Sequence, residues 1–168
     1  HFMSNTEGHS IKIQRSHLLV LLAAFLGWLF DGFEMGLFPI VARPALTDMY
    51  TGSDNVDAFV GQWMGWITAV FLLGAAAGGF VFGWFGDRFG RVKAMSASIL
   101  TYSIFTGLGF FAQEPWHLAL FRFLAALGMG GEWSLGVALV MECWPERLRP
   151  LMAGIIGAAA NFGFLLIA

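Results

Sequence analysis

The stretch GWFGDRFGRVK, residues 83–93, sets one Asp, two Arg, one Lys and three Gly between two long apolar runs. In a chain of 168 residues that is 58% hydrophobic and 12% charged, so dense an interval of charge marks a boundary. Mean hydropathy is +0.71, and the charged fraction is about half that of an ordinary soluble domain. A water-soluble chain of this size has no interior large enough to hide so much apolar surface, so the flanking runs face lipid. The interval therefore reads as a short turn at one membrane surface. Its glycines permit a tight reversal, and Asp87, Arg88 and Arg91 are available to each other, to helix ends and to lipid head groups.

Working outward from this turn, five segments reach the about 20 mostly apolar residues that a helical span needs. They are 17–41, 59–85, 94–112, 116–141 and 151–168, each to within a few residues. Alternation of period two is absent, which argues for helices over barrel strands. The expected fold is an all-α membrane protein, a bundle of five transmembrane helices over 17–168 behind a polar tail, 1–16. His1 and Phe2 before Met3 read as an appendage to the natural start and are set aside, and the tail lacks the order of a signal peptide.

The basic residues are unevenly shared between the loops. Lys12 and Arg15 precede the first span, Arg88, Arg91 and Lys93 follow the second, and Arg147 and Arg149 follow the fourth. The opposite loops hold Arg43 against Asp48, Asp54, Asp57 and Glu114. The positive-inside rule then places the amino terminus and the Gly83–Lys93 turn in the cytoplasm.

Other features point to packing. Gly74, Gly78, Gly79 and Gly83, with Gly128, Gly130 and Gly131, let helices approach closely. Trp84, Trp116 and Trp144 sit near span ends and fit an aromatic belt. His17 and His117 read as solvated or interfacial. Met64, Met95, Met129, Met141, Phe71 and Phe105 read as bundle packing, as does the lone Cys143. That cysteine offers no disulfide, and no metal cluster, catalytic nucleophile–base pair, cofactor motif or nucleic-acid patch appears.

The order of residues in the turn says more. Gly83-x-x-x-Asp87-Arg88-x-Gly90-Arg91-x-Lys93 resembles the loop signature of the major facilitator superfamily, between that fold's second and third helices. Arg122, GMGGE (128–132) and Glu142-x-x-Pro145-x-x-x-Arg149 resemble the fourth helix and following loop of proton-coupled metabolite and sugar members, with Pro150 where many have Gly. FDGFE (30–34) is similar to the acidic pair in the first helix of the aromatic-acid and sialate-type proton symporters, many of which have Asp where Glu34 stands. Together the motifs cover the chain from about residue 18. The resemblance implies a fold of about 12 spans in two related halves, of which these five form most of the amino-terminal half. It also implies that Gly83, Asp87, Arg88, Gly90, Arg91, Glu142 and Arg149 form a cytoplasmic gate network.

Four ionisable residues fall within spans: Asp31, Glu34, Arg122 and Glu132. Each costs at least about 2.5–3.5 kcal/mol near mid-bilayer, so each needs compensation or a purpose. Asp31 and Glu34 are three apart and share a helix face. Such a pair suits proton coupling, which needs a carboxyl loaded from one side and unloaded to the other. Arg122 stays cationic and can hold either a carboxylate of the first span or a substrate carboxylate by a two-pronged contact. The resemblance matches Glu34 best to the acid of that pair. Glu132, about 15 Å further along the helix, reads as a second relay or as a partner of a Gly-rich contact. Gln62 and Asn161 are candidates for a polar cavity wall or for interhelical hydrogen bonds.

The leading expectation is a proton-coupled symporter for a small organic anion, multi-pass in a bacterial inner membrane. A neutral sugar or metabolite is the alternative substrate. A partner-dependent, non-transporting module is the alternative class, because five spans cannot close a three-plus-three repeat. The chain is expected to be a fragment whose carboxy-terminal half is missing, or else to pair with a partner chain.

Overall fold

The structure is a computed structural model that describes residues 14–52 and 55–168. Most of the tail 1–16, including Lys12, and Asp54 in an opposite loop lie outside the described residues. Five helices follow in order: α1 (Arg15–Asp48), α2 (Val56–Phe89), α3 (Arg91–Leu108), α4 (Pro115–Cys143) and α5 (Arg149–Leu165). Short 3-10 turns, Gly109–Phe111 and Glu146–Leu148, extend α3 and precede α5. All five helical segments are long and apolar enough to cross a membrane, and no strand occurs among the described residues.

Local chemistry sets the helix starts. His17 Nδ1 accepts the Gln14 N–H at 3.2 Å, and His117 Nδ1 accepts the N–H groups of Gln113 and Glu114 at 3.3 and 3.2 Å. Both histidines thus satisfy orphan donors at a helix amino terminus, a more specific role than solvated side chains. Asn55 caps α2 through Oδ1, and Pro115 opens α4, where a missing N–H costs nothing.

Two helix ends depart from expectation. α1 runs through Pro39 and Pro44 to Asp48 rather than stopping near residue 41. Each proline removes one donor, but apolar surroundings favour keeping every other backbone bond internal, so the helix continues. α2 continues to Phe89, which puts Asp87 and Arg88 in its last turn instead of a loop. Gly90 alone separates α2 from α3, with φ +99°, a region that only glycine enters without strain.

α4 is the most buried helix and the hub of the bundle. It carries α2 on one flank and α3 on another, while α1 packs mainly on α5. The pairings α2 on α4 and α5 on α1 correspond if α1–α2 is exchanged with α4–α5. Small residues allow the close approach: a Cβ on Gly78 would strike the Leu127 carbonyl, and one on Gly130 the Ala75 carbonyl. Gly83, expected to do the same, has nothing within 4 Å of its Cβ position, whereas a Cβ on Gly86 would stand 2.5 Å from Leu135 Cδ2. Ser98 Oγ donates to the Gly128 carbonyl at 2.7 Å and ties α3 to α4.

Outward faces are apolar, with Leu19, Phe80, Val92 and Phe110 all exposed. Trp84 and Trp116 are exposed, as a belt requires, but Trp144 is buried. It packs edge-on against His17, in a cluster with Ala24, Val140, Met152 and Ile156 that Cys143 also joins.

Candidate functional site

FDGFE lies midway along α1, and its two acids face α4. Arg122 of α4 pairs with Glu34 through Nη1 and Oε1, and both side chains are largely buried. The guanidinium contacts two rings, its Cζ 4.2 Å from the Phe38 centroid and 4.6 Å from that of Phe71. Contact with these rings leaves the in-plane N–H groups of the guanidinium as its means of holding a planar carboxylate. Phe71 is therefore part of the charged site, not only bundle packing. Phe38 stands four residues after Glu34 and its place was readable from helix spacing. Phe71 arrives from another helix, and nothing in its local sequence marks it.

Asp31 does not pair with Arg122. Its Oδ2 accepts the Trp133 indole N–H at 2.8 Å, and its buried Oδ1 has no hydrogen-bond partner. Glu132, the residue before Trp133, is buried with its carboxylate against Gly27, where any Cβ would collide with it. Glu34 Oε2 is likewise buried without a partner.

Two cavities meet at Glu34. One of about 400 Å³ holds Glu34 and Arg122 among apolar and aromatic side chains of α1, α3, the 3-10 turn after α3, and α4, including Phe38, Phe105, Phe110 and Phe121. The other, of about 470 Å³, holds Glu34, Asp31 and Glu132 together with Tyr102 and Ser103 of α3. Gln62 and Asn161 line neither cavity. Both are exposed, and Asn161 Nδ2 donates to the Gly157 carbonyl of its own helix at 3.4 Å.

At the Gly90 end, Arg91 holds Asp87 (Nη2 to Oδ1, 2.6 Å) and Glu142 (Nε to Oε1, 3.0 Å). One side chain at the start of α3 so ties the ends of α2 and α4. Two expected members of this network stand apart. Arg88 lies over Trp84 and Phe89 at 5.8 and 5.9 Å. Arg149 donates to the Trp144 carbonyl at 3.1 Å and faces Glu146 at 3.7 Å, not Glu142.

The bundle thus carries a buried cross-helix ion pair and a charged clamp between helix ends. The sequence profile of the Major Facilitator Superfamily matches residues 20–168, and the chain belongs to that family. With its five spans this makes it an integral, multi-pass membrane protein. Among curated proteins it is 29% identical to a niacin transporter of Acinetobacter baylyi (95% of this chain, 34% of that protein). It is 30% identical to a sialic acid transporter of Escherichia coli (88% and 35%) and 35% identical to a gentisate transporter of Corynebacterium glutamicum (85% and 31%). The chain spans about a third of the length of these relatives.

Proposed function

We propose that this bundle, residues 17–168, is part of a secondary transporter, not an enzyme, that couples a proton to the movement of a small organic anion. The carrying observation is the buried Arg122–Glu34 pair at the wall of an otherwise apolar cavity. A proton on Glu34 neutralises the partner of Arg122 and frees the guanidinium edge for a substrate carboxylate. Loss of that proton returns Glu34 to Arg122 and expels the anion. Proton and substrate are thereby linked through one cation, and each biases the state that the other prefers. Niacin, sialic acid and gentisate, named for three relatives, all carry a carboxylate, which supports an anion over a neutral sugar.

The Asp87–Arg91–Glu142 clamp is the gate latch in this reading, on the cytoplasmic side of a bacterial inner membrane with the amino terminus inside. The basic residues Arg15, Arg88, Arg91, Lys93, Arg147 and Arg149 at one end of the bundle support that orientation. Asp31 and Glu132, which line the second cavity with Glu34, are the further proton-binding groups.

Uptake and exchange of radiolabelled nicotinate by the full-length protein in proteoliposomes test the reading. An imposed proton gradient drives accumulation, nicotinamide fails to compete, and Glu34→Gln abolishes accumulation while sparing exchange. Equal loss of both activities in that variant, or competition by the amide, would sink it.

A further inference from the structure

We infer that Trp133 is a positioning residue for Asp31, holding one carboxylate oxygen so that the other is the atom that binds the proton. The inference rests on the proton-coupled reading and adds a division of labour between the two acids of α1.

The indole N–H is a donor only and reaches Oδ2 at 2.8 Å. Oδ1 is buried and unpartnered, and Asp31 lines the cavity that Glu34 and Glu132 share. Trp133 is itself braced by Trp28 of α1, with ring centroids 6.2 Å apart and planes inclined by 51°. The charged and titratable groups around Asp31 are Glu34 on α1, Arg122 and Glu132 on α4, and Tyr102 on α3. α5 meets this part of α1 with the Ala160 backbone and Gly163, and so contributes no titratable group.

The step is a proton transfer alone: a hydronium in the cavity gives its proton to Oδ1, leaving water and a neutral carboxylic acid. With the O–H on Oδ1, Oδ2 becomes the carbonyl oxygen and still accepts from Trp133. With the proton on Oδ2, the indole would face a hydroxyl oxygen, a poorer acceptor than the carbonyl, at a buried position. Asp31 therefore changes charge without changing its contact to α4. Glu34 cannot, because its contact to Arg122 depends on its charge. One acid stores a proton while the helices stay tied, and the other converts a proton into the release of a cation.

Infrared difference spectroscopy of the full-length protein in lipid vesicles, recorded on acidification, tests this without any substrate. A protonated carboxyl band that Asp31→Asn removes is the reporter. Trp133→Phe should raise its C=O stretching frequency, since the carbonyl loses its hydrogen bond. Replacing the indole at position 133 by 3-benzothienylalanine deletes only the N–H and should give the same displacement even if Trp133→Phe does not fold. A band present but unmoved in the benzothienyl variant overturns the positioning role and leaves proton coupling standing. Absence of any Asp31-dependent band from acid to alkaline pH overturns proton binding at Asp31, and the inference with it.

Discussion

Arg91 Nε and Glu142 Oε1 lie 3.0 Å apart across 51 residues of chain, and the same guanidinium holds Asp87. The contact joins α3 to α4 at the end of the bundle where Cys143 sits beside Glu142. Both acids are more than half exposed, so the network contributes no more than about 1 kcal/mol to stability. Its effect is expected in the opening of that end. Glu142→Gln should leave the unfolding midpoint almost unchanged and speed alkylation of Cys143 in membranes, followed by intact mass. An unchanged alkylation rate would show that the clamp does not hold this end closed.

Two glycine-to-alanine changes should have opposite signs. Gly163 packs on the α1 backbone, where a Cβ would strike the Leu29 carbonyl and stand 2.5 Å from the Phe33 nitrogen. Gly163→Ala pushes α5 off α1 and should destabilise by about 1–3 kcal/mol, the usual range for overpacking. Gly83 has open space at its Cβ position, so Gly83→Ala should gain up to about 1 kcal/mol of helix propensity. Chemical denaturation in mixed micelles reads both, and a destabilising Gly83→Ala would mean that this position meets something beyond the described residues.

The Arg122–Glu34 pair should be strongly non-additive. Removing Glu34 alone leaves a buried guanidinium with only its two rings, and removing Arg122 alone leaves a buried carboxylate. Each single alanine variant is expected to cost about 3–5 kcal/mol, and the double variant clearly less than their sum. A thermodynamic cycle by denaturation measures the coupling, and additive costs would mean that the two charges do not see each other in the folded protein.

Gly90→Ala forces a side chain into a backbone conformation that L-residues avoid, at a cost of about 1–3 kcal/mol. The expected result is a lowered unfolding midpoint together with loss of the tight α2–α3 reversal, measurable as a longer distance between spin labels on the exposed residues 81 and 100. Wild-type stability and spacing would show that alanine is accommodated there.

Much of the fold was legible because bilayer thickness imposes one rule on every span: about 20 apolar residues between charged or turn-forming ones. The rule located five helices but not their ends, because a helix may continue past the lipid wherever the backbone has no better partner. Hence α1 overran two prolines, and the apparent loop at Asp87 and Arg88 proved helical. Glu34 and Arg122 were identifiable as intramembrane charges, and the motif resemblance paired them. The partners of Asp31, Phe71 and Glu132 were not legible, since they depend on which faces of α1, α2, α3 and α4 meet. Trp133 follows Glu132 directly, yet its indole serves the acid of another helix. Arg149 and Arg88 bear motif charges, but a nearer carbonyl and nearer rings claim them.

The solitary non-helical residue at position 90 has a mechanical consequence. Two stiff rods of 34 and 18 residues share one elbow, with a single residue's dihedrals to bend it and an arginine strut bolted across the bend. Slack in such a linkage is small, so a tilt of the longer rod is delivered to the shorter one at nearly full amplitude instead of being absorbed by a loop. Lengthening the elbow with inserted residues would turn a lever into a tether.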